Sequence, residues 1–200
     1  MYERQGNHTD WTDVADVNYD ATGMREDMIA EMDWWIANAG IDGFRCDVAG
    51  FVPIDFWNTA ITTLRANNGP LFMLAEWEDP ALIEAGFNAV YGWEFHHIMN
   101  EVAKGHKSVS AIAEYAAKCD TVWPAETMKM YFNTNHDENS WNGTVEERMG
   151  DLGNAMYILA SMMKRSFPLI YSGQEAGLNH RYPFFSKDTI GLDWSKTHPQ

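Results

Sequence analysis

The sequence predicts an α/β fold in which parallel strands are connected by helices. Short apolar runs with strand character alternate with segments of helical periodicity, and turn residues separate the two. About five strand-like runs occur, and a chain that alternates in this way builds a parallel sheet with helical crossovers. No internal repeat, low-complexity tract or linker divides the 200 residues, so we expect a single domain.

The boundaries of these elements follow from periodicity and from turn residues. The predicted strands cover residues 41–46, 71–75, 87–91, 129–133 and 168–171. The predicted helices cover residues 24–39, a segment opened by Pro53, and residues 79–84, 94–104, 109–118 and 146–164. The run at 71–75 is apolar throughout, as expected of a strand covered on both faces.

The composition is that of a strongly acidic globular protein. Lys and Arg total 14 and Asp and Glu total 29, which gives a net charge of −15. This charge argues against nucleic acids and anionic membranes as partners, and no apolar run approaches the ~18 residues of a membrane span. Cys46 and Cys119 do not suggest a disulfide framework. The first residues lack the apolar stretch of a signal peptide, so the compartment stays unknown, with periplasmic and secreted locations both open.

Arg45 and Asp47 form the first candidate site, at the end of the first predicted strand. Residues two apart on a strand point to the same side, so the guanidinium can lie beside the carboxylate. Charge and hydrogen bonding would keep this carboxylate ionised, as a nucleophile requires. The alternative is a structural ion pair, which this peptide alone does not exclude.

Glu76 is the second candidate, because it ends the apolar run and precedes Trp77. A carboxyl group beside an indole at the edge of an apolar strand loses hydration, which favours its neutral form and raises its pKa. A general acid needs this property at neutral pH. The alternative, which is favoured for Glu76 taken alone, is the start of a polar loop.

The third candidate is the segment Asn135, His136 and Asp137, which follows the fourth predicted strand. If strand geometry persists, Asn135 and Asp137 share a face and can hold adjacent sugar hydroxyls. The alternative is an Asx-rich turn. Each candidate carboxylate thus follows a separate strand, where barrel enzymes place catalytic groups, so we expect the three at one end of a parallel sheet.

Taken together, these segments resemble the alpha-amylase family, glycoside hydrolase family 13. Residues 43–49 resemble its second conserved region, residues 74–77 the third and residues 135–137 the fourth, in the family's order and spacing. Residues 168–175 resemble the segment at its eighth strand, and residues 16–18 resemble a short motif in the long loop after its third strand. The resemblance spans nearly the whole chain.

The resemblance implies a partial (β/α)8 TIM barrel, roughly strands four to eight with their helices. Residues 1–200 would be one partial catalytic domain, from the end of the loop after strand three to just after strand eight. The histidine and asparagine of the family's first conserved region are not found. We therefore expect a partial sequence that is inactive by itself, because the barrel closes only when its first and last strands pair.

The resemblance also implies catalytic roles. Asp47 would be the nucleophile that forms a covalent glycosyl-enzyme, and Glu76 would act as general acid and then as base. Asp137 would bind sugar hydroxyls and stabilise the oxocarbenium-like transition state.

Four further residues are expected to bind substrate. Arg45 would orient and ionise the nucleophile, and His136 would bond the sugar at the cleavage site. Asn135 would hold sugar hydroxyls beside it. Trp77 would stack on a sugar face, although packing under a loop is an equal alternative.

No metal site is predicted. The family's calcium-dependent amylases carry a Lys-His pair after the nucleophile segment, and here Gly50 and Phe51 stand roughly in that place. The usual calcium contact is therefore in doubt, and no cofactor is expected with certainty, although calcium stays open for the full-length protein.

The predicted function is that of a retaining glycoside hydrolase acting on alpha-glucosidic bonds of starch-like glucans or maltooligosaccharides. A transglycosylase is the first alternative, and a non-catalytic barrel relative that serves in binding is the second. The joint presence of Asp47, Glu76 and Asp137 argues against the second alternative. Asn18 favours the oligosaccharide-hydrolysing branches of the family.

Overall fold

The computed structural model describes residues 17–192, which fall into two compact units, one up to Asn88 and one from Ala89 onward. The first unit contains, in chain order, α1 (Met24–Ala39), β1 (Gly43–Cys46), α2 (Ile54–Asn68), β2 (Phe72–Ala75) and α3 (Pro80–Glu84). The second contains β3 (Ala89–Tyr91), α4 (Trp93–Ala103), α5 (Ser110–Val122), β4 (Met128–Tyr131), α6 (Val145–Met149), α7 (Gly153–Met162) and β5 (Ser166–Pro168). Asp16, part of the motif at residues 16–18, lies outside the described residues.

In the first unit, β1 and β2 pair in parallel, with Gly43 opposite Phe72 and Cys46 opposite Ala75. One face of α2 is buried in this unit and contributes five apolar side chains: Phe56, Trp57, Ala60, Ile61 and Leu64. This helix–strand alternation places the carboxyl ends of two neighbouring strands side by side. The residues that follow those ends can therefore meet.

Gly43 allows the close approach of β1 and β2. A Cβ atom at this position would lie 1.8 Å from the backbone oxygen of Phe72, and Gly43 has φ +157°. The contact is with backbone, so no side-chain rotation could relieve it. The first residue of β1 must therefore be glycine for the pairing to start in this register.

In the second unit, β3, β4 and β5 pair in parallel, with β4 between the other two. Ala89 lies opposite Met128, and Lys129 lies opposite Ser166. A buried cluster covers these strands with side chains from α4, α5, α6, α7 and β4: Phe95, Ile98, Met99, Val102, Tyr115, Tyr131, Met149, Met156 and Ala160.

Most of the predicted elements are confirmed. The predicted helix at 24–39 is α1, and it ends where Gly40 takes the left-handed conformation with φ 64°. The short helix α3 begins at Pro80, and the Asp79 side chain accepts a hydrogen bond from the Ala81 amide at 2.9 Å. Five parallel strands occur in the described residues, although the last lies at Ser166–Pro168 and not at 168–171.

Two predictions from periodicity are wrong. The single helix predicted at 146–164 is interrupted, because Gly150 has φ 53° and starts a 3-10 turn between α6 and α7. The apolar pattern continues through the break, so periodicity alone did not reveal it. The strand at 71–75 is not covered throughout, since Phe72 is 37% exposed. Across residues 17–192, none of the helices combines the length and apolar character needed to cross a bilayer.

Candidate active site

Glu76 is the buried centre of the site in the first unit. It directly follows β2, and its backbone amide donates to the Cys46 carbonyl oxygen at 2.9 Å, which extends the pairing of the two strands. Its carboxyl Oε2 accepts the Val48 amide at 2.9 Å, and its Oε1 lies 2.5 Å from Nη2 of Arg45. Glu76 is only 8% exposed, so these contacts take the place of water.

Val48 adopts a strained backbone conformation to make its contact with Glu76. Its φ is 43° and its ψ is 44°, which is the left-handed region that a β-branched residue rarely occupies. This conformation turns the chain sharply after β1 and starts the short 3-10 turn Ala49–Phe51. Strain of this kind at the end of a strand is common where a backbone group has a functional position.

The surroundings of Glu76 favour its neutral form. Burial is the largest effect and raises its pKa, and the charge and hydrogen bond of Asp47 raise it further. The Val48 amide and the Arg45 charge act in the opposite direction, and the resulting pKa is about 7. A carboxyl group with this pKa is protonated through the weakly acid range, as the sequence predicted from the apolar strand and the neighbouring indole.

Asp47 has the opposite surroundings. Its side chain is 73% exposed, and Oδ1 pairs with Nη1 of Arg45, whose Nη2 contacts Glu76. One guanidinium therefore bridges both carboxyl groups. The contact of Arg45 with Asp47 was predicted from their spacing, whereas its contact with Glu76 was not. The result is an exposed carboxyl group at Asp47 and a buried one at Glu76, close enough that Asp47 raises the pKa of Glu76.

Trp77 packs against the turn that follows β1. Its ring centroid lies 5.0 Å from that of Phe51, and a Cβ atom at Gly50 would lie 2.3 Å from the indole. One side of the indole thus packs under the loop, which is the alternative to stacking on a sugar. Trp77 is nevertheless only half-buried. Its role toward substrate remains a prediction.

Gly50 and Phe51 stand roughly where the family's calcium-dependent amylases carry a Lys-His pair. Gly50 and Phe51 offer no side-chain oxygen or nitrogen, and the space beside them is taken by Trp77. Within residues 17–192, no three His, Cys, Asp or Glu side chains cluster in a way that could hold a metal.

The third candidate segment lies in the second unit, after β4. His136 and Asp137 are partly exposed, with Nε2 3.4 Å from Oδ2, and Asp137 immediately precedes a π-helical turn at Glu138–Asn142. Short π-helical turns are frequent at functional sites. Tyr171, in the segment that resembles the family's eighth strand, lies close enough for the Asp137 charge, after burial, to raise the pKa of its phenol.

The prediction that Asn135 and Asp137 share one face of a strand is wrong. Strand β4 ends at Tyr131, so the alternation of a strand does not extend to residue 135. Asn135 is 1% exposed, and its Oδ1 accepts the Glu138 amide at 2.7 Å. Its side chain therefore shapes the turn that carries Asp137, which is the Asx alternative, and its contact with a sugar stays a prediction.

A buried polar network supports this turn, and the sequence analysis missed it. Arg148 of α6 donates to the Asn133 carbonyl at 2.6 Å, to the Asn100 side-chain oxygen at 2.9 Å and to the Gly143 carbonyl at 3.1 Å. Its Nη1 also lies 4.0 Å from the carboxylate of Glu138. Asn100 and Asn133 lie 48 and 15 positions from Arg148, so no local spacing could have revealed these two contacts.

Glu138 connects the network to the candidate segment, because it directly follows Asp137. Its Oε2 lies 3.0 Å from Nε2 of His96, a buried residue of α4. Burial acts to raise the pKa of Glu138, but His96 and Arg148 outweigh it, and the pKa lies below its usual value. The adjacency of Glu138 to Asp137 is the one signal in the sequence that pointed to it.

Comparisons with known proteins agree with this arrangement. The family model for the alpha-amylase catalytic domain matches residues 6–197. The crystal structure of a noncanonic maltogenic alpha-amylase from Thermotoga neapolitana is similar to this chain, with a TM-score of 0.80 and 29% identity, over 96% of this chain and 45% of that one. The chain belongs to the alpha-amylase family, and its parallel α/β fold is part of that family's TIM barrel, as the sequence predicted.

Two curated relatives are more distant. An alpha-amylase of Haloarcula japonica is 23% identical over 176 residues, which cover 86% of this chain and 25% of that protein. A cyclomaltodextrinase of a Bacillus species is 24% identical over 172 residues, which cover 82% of this chain and 30% of that protein. The chain thus spans under a third of the length of either relative.

Proposed function

We propose that the protein is a retaining glycoside hydrolase that cleaves alpha-glucosidic bonds of maltooligosaccharides. The observation that carries the proposal is the pair of carboxyl groups bridged by Arg45: Asp47 is exposed, while Glu76 is buried with a pKa of about 7. Glycoside hydrolysis requires two carboxyl groups, one that keeps a proton for the leaving group and one that attacks the sugar.

The proposed reaction has two steps. The Asp47 carboxylate attacks the anomeric carbon while Glu76 gives its proton to the glycosidic oxygen, so the C–O bond breaks and the leaving sugar departs as an alcohol. Glu76, now a carboxylate, then takes a proton from water, and the resulting hydroxide breaks the bond to Asp47. Both carboxyl groups return to their starting states.

The spacing of the two carboxyl groups supports retention of configuration. Asp47 and Glu76 both contact the Arg45 guanidinium, and Asp47 lies close enough to raise the pKa of Glu76, which fits the ~5–5.5 Å of retaining pairs better than the ~6.5–9.5 Å of inverting pairs. Asp137 and His136 are proposed to bind the sugar hydroxyls, since both are partly exposed in the second unit.

The proposed substrate class is short alpha-glucans. Two similar proteins are named as a maltogenic alpha-amylase and a cyclomaltodextrinase, and both names refer to short alpha-glucans. Asn18 favours the oligosaccharide-hydrolysing branches of the family. Transfer of the glycosyl group to a second sugar uses the same first step. Analysis of the products therefore distinguishes hydrolysis from transglycosylation.

The test uses the natural protein in its full length with maltotetraose. Proton NMR of the first-formed sugar should show the alpha anomer, and Asp47→Asn should lower kcat/KM by at least about a thousandfold. Asp55→Asn is a matched control, because the Asp55 side chain is 72% exposed and also paired with an arginine. A beta anomer as the first product, or equal activity of the Asp47→Asn variant, would reject the proposal.

A further inference from the structure

His96 is a buried histidine of α4, and both nitrogens of its ring lie close to protein groups. Nδ1 lies 3.1 Å from the carbonyl oxygen of Phe132, the residue that directly follows β4. A carbonyl oxygen accepts hydrogen bonds and cannot donate them, so Nδ1 carries a proton. Nε2 lies 3.0 Å from Oε2 of Glu138 and 3.0 Å from Nδ2 of Asn100. Because His96 is 4% exposed, these groups and not water decide the state of Nε2.

The side-chain amide of Asn100 is held in one orientation by two other contacts. Its Oδ1 accepts from Nη1 of Arg148 at 2.9 Å, and a guanidinium can only donate. Its Nδ2 donates to the His96 carbonyl oxygen at 2.9 Å. The second hydrogen of this amide could serve an Nε2 atom that has no proton. The state of Nε2 therefore depends on Glu138.

The Glu138 carboxylate needs a donor at Nε2. Burial acts against the ionised form of Glu138, but His96, Arg148 and Asn142 outweigh it, and its pKa lies below its usual value. An ionised oxygen and an unprotonated ring nitrogen 3.0 Å apart would be two acceptors facing each other in a buried contact, which is unfavourable. A proton on Nε2 turns the same contact into a charge-assisted hydrogen bond.

Glu138 transmits this contact to Asp137, because the two residues are adjacent in the chain. The Glu138 amide donates to Oδ1 of Asn135 at 2.7 Å, and Glu138 begins the π-helical turn. The Glu138 side chain is 15% exposed, against 31% for that of Asp137. Glu138 is therefore the inward anchor of the turn, and a shift of this anchor would move the backbone of Asp137.

We propose that His96 is a positioning residue for Asp137, and that it holds the Glu138 carboxylate through a proton on Nε2. One imidazole ring then ties the end of β4, through the Phe132 carbonyl, to the turn that carries Asp137. A misplacement of about 1 Å in a contact to the transition state can cost roughly 100-fold in rate. The proposal rests on the proposed function, because Asp137 receives its role there.

The kinetic test uses the full-length natural protein with maltotetraose. In His96→Gln, one amide nitrogen cannot stand at both ring positions, so the contact with Phe132 or that with Glu138 is lost. We expect kcat to fall by about 10- to 100-fold and KM to change by less than about threefold, because the contact of Asp137 is strongest in the transition state. The urea midpoint of the variant shows whether it is folded.

His106→Gln is the matched control. His106 forms the same kind of contact, with Nδ1 3.2 Å from Oε2 of Glu101, but its side chain is 63% exposed. This control should keep the kcat and KM of the parent. If His96→Gln does not fold, His96→Asn takes its place in every measurement.

A spectroscopic test does not depend on activity. In the parent protein with 15N-labelled histidine, the signals of His96 are assigned by their absence from His96→Gln. At neutral pH, Nε2 of His96 should have the 15N chemical shift of a protonated ring nitrogen. The Glu138→Gln side chain has no charge and can donate an amide hydrogen to Nε2, so Nε2 should lose its proton in this variant while Nδ1 keeps its own.

The outcomes separate this inference from the proposed function. An unprotonated Nε2 in the parent would overturn the inference, even if the parent hydrolyses maltotetraose. An unchanged kcat in the folded His96→Gln protein would overturn it as well, as would a loss of activity that lies in KM alone. If the parent hydrolyses no glucan, the proposed function fails, whereas a proton on Nε2 that disappears in Glu138→Gln would still support the anchoring of the turn by His96.

Discussion

At the residue scale, Glu76 and Asp47 show how surroundings give one chemical group two roles. Both are carboxyl groups that follow neighbouring strands and share the Arg45 guanidinium. Glu76 is 8% exposed while the Asp47 side chain is 73% exposed. Burial raises the pKa of Glu76 to about 7, so near-neutral conditions leave a proton on Glu76 for transfer.

This pKa predicts the pH dependence of activity. Because the proposed acid is Glu76 with its proton, kcat/KM should fall above about pH 7, with an alkaline limb near the pKa of Glu76. Glu76→Gln should lower kcat/KM by roughly 10²–10⁴-fold and remove this limb. The measurement is kcat/KM for maltotetraose from pH 5 to 9. An alkaline limb that stays unchanged in the residual activity of Glu76→Gln would assign the proton to another group.

The same residue predicts a pH dependence of stability. A carboxyl group whose pKa is raised on folding stabilises the protein fully below its ordinary pKa of 4.5, and this contribution is lost as the pH rises through about 7. The free energy of unfolding should therefore fall across this window by at most about 3 kcal/mol, at about 1.36 kcal/mol per pKa unit. Glu76→Gln should lack this part of the fall, which urea unfolding at pH 5 and pH 8 would show.

At the scale of elements, α6 is tied to the turn that carries Asp137 by the buried Arg148. Removing the guanidinium would leave two buried backbone carbonyl groups without their hydrogen-bond donor and the Glu138 carboxylate without this nearby cation. We expect Arg148→Ala to lower the free energy of unfolding by about 3–5 kcal/mol, as measured by the urea midpoint.

Lys164→Ala provides the control for this prediction. Lys164 pairs with Asp120 on the protein surface, where solvent screens the charges, so its removal should leave the urea midpoint nearly unchanged. Similar shifts for Arg148→Ala and Lys164→Ala would contradict a special role for the buried network.

At the scale of the whole molecule, the excess of carboxylates sets the response to salt. Asp and Glu exceed Lys and Arg by 29 to 14, so the compact state contains net repulsion. Raising NaCl from about 0.01 M to about 0.1 M shortens the screening length from about 30 Å to about 10 Å. We expect Tm at pH 7 to rise over this range, as measured by calorimetry.

The control for the salt effect is the same titration at a second pH. Near pH 4.7, where the 200 residues carry little net charge, the same salt titration should change Tm much less. A fall of Tm with salt at pH 7 would show that exposed ion pairs, such as that of Arg25 with Asp55, outweigh the net repulsion.

The sequence by itself determined the elements, the family and the order of the candidate carboxylates. Periodicity and end signals are local, so α1 and the cap of α3 at Asp79 could be predicted from a few neighbouring residues. The same local rules failed at Gly150, because an apolar pattern does not report a backbone with φ 53°. The pairing of Arg45 with Asp47 also followed from local spacing.

The tertiary structure alone decided which distant groups surround each carboxyl group. The Val48 amide reaches Glu76 across 28 positions, and Arg148 reaches Asn100 across 48, through hydrogen bonds that no local pattern encodes. The hydrogen bonds of Arg181 with the Ser140 and Trp141 carbonyl groups likewise depend on segments brought together only by folding. The pKa and the position of a side chain depend on which groups replace water around it. Burial and hydrogen bonds between distant segments therefore set both properties.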